Sequence, residues 1–128
     1  RPAKAKNEPL TLLVYSWEDI ARHPLILAMA KAGWQVRVHL DPGHLLVDLA
    51  QARHELDGVL VFKSALDERV DPLISELGHA KSGKPIALLA LGESVESLAE
   101  CVKRNCGLIL PGASKPSVLL SKLDPFFR

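Results

Sequence analysis

Only two cysteines occur among the 128 residues, Cys101 and Cys106, and no Cys-x-x-Cys motif links them. A small disulfide scaffold needs more thiols than that, so both read as reduced packing residues of a cytosolic protein. The chain also lacks an excess of either charge. Sixteen Lys and Arg face fifteen Asp and Glu, a formal net charge of +1. The basic residues are scattered, which removes the electrostatic footprint that nucleic acid requires. Long hydrophobic runs are missing too. The longest, residues 24–30 and 86–91, are too short to cross a bilayer, and no signal-peptide pattern opens the sequence, so no direct membrane contact is expected. No internal repeat or low-complexity stretch is present.

What remains is rich enough to fold: 48% of residues are hydrophobic and 24% charged, over a length that suits one domain. Residues 1–9 are polar, contain two prolines and show no apolar period, so they read as a linker, with the domain occupying residues 10–128. From there, apolar strand-like runs at 10–15, 35–40, 58–62, 85–91 and 107–110 alternate with helix-like stretches. The first helix is expected over about 20–31, with Leu25, Ala28, Met29 and Ala32 on one face. Leu45, Leu46, Leu49 and Ala52 mark the second. Asp71-Pro72 reads as a cap followed by proline at the first helical position of the third, which Gly78 ends. Ser94 is the expected cap of the fourth helix, and Ser114 or Ser117 that of the fifth. Apolar strands separated by helices imply a parallel sheet covered on both faces, a three-layer doubly wound α/β sandwich.

In such sheets ligands sit beyond the carboxyl ends of the strands. The relevant loops are residues 16–19, 41–44, 63–66, 92–94 and 111–115. Several chemistries are excluded by what these loops hold. Ser16-Trp17-Glu18-Asp19 lacks the glycine and hydroxyl-rich wrap of a flavin phosphate, and there is no Gly-x-Gly-x-x-Gly or Asp-x-His-x-x-Gly. A cysteine phosphocarrier would place its thiol after the first strand, whereas Cys101 and Cys106 fall on or just beyond the fourth helix. His23, His39, His44, His54 and His79 are dispersed over different elements, and none pairs with a carboxylate at helical spacing. No cofactor and no metal are expected.

The run Leu25-x-x-x-Met29-x-x-Ala32-Gly33-Trp34-x-Val36 resembles the first helix and second strand of response-regulator receiver domains. Residues 57–62 resemble that family's third strand, Lys84-Pro85-Ile86 its approach to the fourth, and Lys115-Pro116 the Lys-Pro after the fifth. The resemblance implies a flavodoxin-like or receiver-like sheet of five strands in the order 2-1-3-4-5. It also implies a phosphorylation site built from an acidic pair, an acceptor aspartate, a hydroxyl and a lysine. Here those positions carry Ser16 and Trp17, Phe62, Ala90 and Gly112. Phosphorylation of such a domain needs a carboxylate nucleophile and two further acids to hold Mg²⁺, so no catalytic residue is expected.

The resemblance therefore implies a degenerate receiver, a pseudo-receiver, internal to a hybrid sensor histidine kinase of the GacS/BarA type. Such a domain is cytoplasmic, within a kinase anchored in the inner membrane, and is not itself an enzyme. Its partners would be proteins: the kinase core, a genuine receiver domain or an accessory regulator. Candidate interaction residues are Trp17, Glu18, Phe62, Lys63, Glu96, Glu100, Lys103 and Lys115, of which Glu96, Glu100, Lys103 and Lys115 would share with Leu110 the face of the fourth helix, fifth strand and fifth helix. Glu93, Glu96 and Glu100 read as the solvent side of the fourth helix. The alternative is a small-ligand sensor in which the vacated pocket near Trp17, Phe62 and Gly112 binds an apolar or anionic metabolite.

Overall fold

A computed structural model describes residues 4–5, 7–80 and 82–128. Five strands alternate with five helices: β1 Thr11–Tyr15, α1 Pro24–Lys31, β2 Gln35–His39, α2 Pro42–Ala52, β3 Gly58–Ser64, α3 Val70–His79, β4 Ile86–Leu91, α4 Glu100–Asn105, β5 Leu108–Pro111 and α5 Pro116–Phe127. The strands form one all-parallel sheet in the order β2-β1-β3-β4-β5. This is the doubly wound architecture expected from the alternation of apolar runs.

Because side chains alternate along a strand, each strand feeds two cores. Leu13, Tyr15, Val59, Val61, Leu88 and Ala90 pack toward α2, α3 and α4. Leu12, Val14, Leu60, Phe62 and Leu89 pack with Leu25 and Met29 of α1 and Leu119, Leu123 and Phe127 of α5. The central strands are buried on both faces, which is why β3 and β4 read as unbroken apolar runs.

Several boundaries differ from the sequence expectation, each for a local reason. α1 begins at Pro24, with His23 as its N-cap, so residues 20–22 belong to the preceding loop. The stretch 41–44, expected as a loop, is the cap and first turn of α2. Asp41 accepts from the His44 N–H at 3.1 Å, and that bond holds its carboxyl below the usual pKa. Asp71-Pro72 lies inside the first turn of α3, whose N-cap is Arg69, and Gly78 does not stop the helix, which runs on to His79. Ser94 precedes a short 3-10 turn, Val95–Ser97, and α4 proper starts at Glu100. The cap of α5 is Lys115, followed by Pro116 at the first helical position, and neither Ser114 nor Ser117 takes that place. β3 extends two residues beyond Phe62, which draws Lys63 and Ser64 into the strand.

Of the expected linker, Arg1, Pro2, Ala3 and Lys6 lie outside the described residues. The rest of it is tied to the amino end of the sheet. Lys4 Nζ contacts Asp57 Oδ2 at 2.8 Å, the same oxygen that accepts from the Thr11 N–H. Arg128 Nη1 donates to the carbonyls of Ala5 and Glu8 at 2.7 and 2.6 Å. Among the described residues no helix is long and apolar enough to cross a membrane.

Candidate functional site at the carboxyl edge of the sheet

Strand register decides which side chains meet at the carboxyl edge. Phe62 stands level with Leu89, and Lys63 with Ala90, which is itself level with Pro111. Phe62 belongs to the core on the α1 and α5 side and Ala90 to the core on the opposite side. The structure therefore does not gather Phe62, Ala90 and Gly112 into one face. The row through Ala90 is Lys63, Ala90 and Pro111.

Lys63 is only 7% exposed, and its ammonium meets Glu93 Oε1 at 2.8 Å. Glu93 comes from the loop after β4, where Gly92 adopts φ 73°, a left-handed conformation that glycine accepts without strain. That turn brings Glu93 back over the sheet, so it is not on the solvent side of a fourth helix as its sequence position had suggested. Gly112 is fixed by packing. Its N–H donates to Ala90 O at 2.7 Å, and a Cβ there would lie 2.5 Å from Leu91 Cδ2 and 2.7 Å from that carbonyl oxygen.

The acids near this edge are dispersed. Asp67, 3% exposed, accepts from the Tyr15 hydroxyl on Oδ2 and from the Arg69 backbone N–H and Nε on Oδ1, at 3.1 and 3.2 Å. Arg69 also donates to Leu40 O and lies over the Tyr15 ring, 5.7 Å from its centroid. Burial, and then the hydrogen bond to Asp67, raise the Tyr15 pKa well above that of an ordinary phenol. Glu18 and Asp19 are exposed on the β1–α1 loop. Among the described residues no three His, Cys, Asp or Glu side chains come together in a way that could hold a metal ion.

Beside this row, on the α1 side, lies an open cavity of about 450 Å³. Phe62 forms its floor, and the Phe62 ring, 1% exposed, meets the His23 ring edge-on at 5.1 Å between centroids. Ser16, Trp17, Glu18, Asp19, Ile20 and Arg22 line one wall, and Ser64, Leu91 and Gly92 the other. The expected pocket near Trp17 and Phe62 exists, but Gly112 does not line it, because Leu91 stands between. His23 was legible only as a scattered histidine. Its Nδ1 accepts the Leu25 N–H at 3.1 Å, and burial lowers its pKa. The sequence signal that could have found it is Pro24, since a side-chain acceptor followed by proline marks a helix start.

The expected interaction residues divide. Trp17 is 40% exposed, and Glu18, Glu96, Glu100 and Lys115 are exposed too. Lys103 is half-buried and donates to Glu96 O at 3.1 Å. Phe62, Lys63 and Leu110 are buried, so they do not form part of an outer surface. Period-2 alternation turns Leu110 inward, and the Glu93 contact withdraws Lys63. Both cysteines are free thiols, and burial pushes Cys106 up to about 12, which leaves it protonated and inert.

No protein-family model matches the chain, and no curated protein matches it in sequence. Solved structures do match. The chemotaxis response regulator CheY4 of Vibrio cholerae is similar at a TM-score of 0.75 and 17% identity, over 93% of this chain and 99% of that one. A putative response regulator from Chloroflexus aurantiacus gives 0.76 and 17%, over 94% and 98%. The beryllofluoride-activated receiver domain of DrrB gives 0.71 and 13%, over 93% and 97%. At such identities the likeness defines the fold: this chain has the CheY-like receiver fold of response regulators.

Proposed function

We propose that this chain is a receiver-fold regulatory module of two-component signalling that does not take up phosphate and works through protein contacts inside a hybrid sensor histidine kinase. The observation that carries this reading is the row Lys63, Ala90 and Pro111 with the Lys63–Glu93 ion pair above it. Whether the acceptor position falls on Phe62, as the sequence pattern suggests, or on Lys63, level with Ala90, the side chain is not a carboxylate. The lysine position, which falls on Gly112 or on Pro111, carries no lysine. Phosphorylation of a receiver uses a carboxylate nucleophile and metal-borne neutralisation of the transferred charge, and this row offers no carboxylate side chain either to attack phosphorus or to hold the metal. Asp67 does not substitute, because Tyr15 and Arg69 enclose it.

Such a domain carries out no reaction of its own. It transmits state by docking, and the exposed residues Trp17, Glu18, Glu96, Glu100 and Lys115 supply the surface. Its place is the cytoplasmic part of the parent kinase. The test combines Mg²⁺ with beryllofluoride in an NMR titration and Mg²⁺ with a small phosphodonor in intact-mass measurements. The expected result is no adduct and no shift at Glu18, Lys63 or Gly92, with shifts at Trp17 or Glu100 when the kinase core or a genuine receiver is added. A phosphoryl adduct on Glu18, Asp19 or Asp67 would refute the reading.

A further inference from the structure

The cavity above Phe62 combines an apolar interior with a charged rim. Its interior is apolar and aromatic: Phe62 and Ile20 are buried, Leu91 is half-buried, and Trp17 stands exposed at the mouth. Around this interior the polar groups are only half used. Ser16 Oγ accepts the Glu18 N–H at 3.2 Å and Ser64 Oγ the Leu66 N–H at 3.4 Å, which leaves each hydroxyl proton free to donate. Since His23 Nδ1 is an acceptor, the neutral ring carries its proton on Nε2, which has no partner among the described residues.

The charged groups sit on the rim. Glu18 Oε1 accepts from Trp17 Nε1 at 3.2 Å and Asp19 Oδ1 from the Ala21 N–H at 2.9 Å. Each carboxylate keeps its second oxygen without a partner among the described residues. Arg22, on the same wall, has no ion-pair partner among them either. Two carboxylates and one guanidinium around an aromatic floor leave one net negative charge. That balance selects against an aromatic acid and in favour of a cation.

We infer that this cavity binds a small aromatic compound carrying an ammonium group, an aromatic amine or aromatic amino acid, with its ring packed against Trp17 and Leu91 and its ammonium at Glu18 and Asp19. A volume of about 450 Å³ lies within the range of small-molecule sites. Ring stacking and cation–π contact with Trp17 supply affinity, while the two acids fix orientation. Arg22 distinguishes the two members of the class, because an amino acid brings a carboxylate for it and an amine does not.

The inference is independent of the proposed loss of phosphotransfer, because neither Mg²⁺ nor a phosphodonor enters its test. The labelled protein is titrated with phenethylamine, with phenylalanine and, as the charge-reversed control, with phenylacetate. Saturable shifts at the Trp17 indole N–H, Asp19, Ser64 and Gly92 are expected with phenethylamine or phenylalanine but not with phenylacetate. The Glu18→Gln/Asp19→Asn variant is expected to bind about tenfold more weakly, as two charge-assisted hydrogen bonds are lost. Trp17→Ala is expected to weaken binding as well. These three side chains are exposed, so the variants keep the fold, which the unchanged shifts of the β4 amides verify. Equal binding of phenylacetate, or no saturation with any probe up to millimolar concentration, overturns the inference. So does a response of these residues only to an added protein partner, which would make the cavity a socket for a partner's aromatic side chain.

Discussion

Removing one oxygen from the protein's single tyrosine, by Tyr15→Phe, tests the buried Tyr15–Asp67–Arg69 cluster. Tyr15 is fully buried and Asp67 is 3% exposed, so the phenol does not trade its partner for water. Arg69 continues to hold Asp67 Oδ1 from two donors, but Oδ2 loses the hydroxyl that faces it. A hydrogen bond to a charged group contributes about 1.5–3 kcal/mol, and the ring itself still fills its place. For a domain of this length that corresponds to a fall in Tm of roughly 5–15 °C. Chemical denaturation gives the free energy, and a cycle with Asp67→Asn isolates the pair.

A second readout is optical, since no other tyrosine contributes to the tyrosinate absorbance of the folded protein. Burial and Asp67 raise the folded-state pKa above the ordinary value of 10.0. The protonated phenol is thus favoured by folding, so its contribution to stability is complete below about pH 10 and lost as pH rises beyond that. Wild type is expected to unfold in strong base as tyrosinate appears, and Tyr15→Phe to lose that part of the base sensitivity. A loss under about 0.5 kcal/mol, within the range of ordinary surface substitutions, or a tyrosine titrating at the ordinary value in the folded protein, would refute the reasoning.

Glu93→Gln leaves the Lys63 ammonium, its side chain 9% exposed, without a countercharge and should cost about 3 kcal/mol in urea denaturation. The double variant Lys63→Met/Glu93→Leu should recover most of that loss, and a failure to recover would show that the loop, not the charge, was damaged. His23 has a lowered pKa, so its neutral form is favoured by folding, and its contribution is present above the ordinary 6.5 and lost as pH falls below it. His23→Asn keeps a capping side chain before Pro24 and should flatten the fall in stability as pH drops below 6.5. An unchanged pH profile would remove His23 from the account.

The sequence by itself determined the layer architecture, a parallel sheet and the helices that cover both of its faces. Those features live in local signals: continuous apolar runs such as residues 58–61 and 86–91 require a sheet covered on both faces, and helical stripes such as Leu25, Met29 and Leu73, Leu77 require helices to cover it. Which residues share a face at the carboxyl edge was decided only in three dimensions. Neighbouring residues of a strand face opposite sides, so Phe62 turned toward α1 and α5, and the parallel register set Lys63 level with Ala90. The partner of Lys63 lies thirty positions away in sequence, in a loop turned by Gly92, and no local pattern marks that pairing. Asp67 looked like an ordinary loop acid, and only the packing of β1 against β3 places Tyr15 on it. Local periodicity specifies what must be buried, whereas long-range register, set by the whole sheet closing at once, specifies what the buried and half-buried polar groups meet.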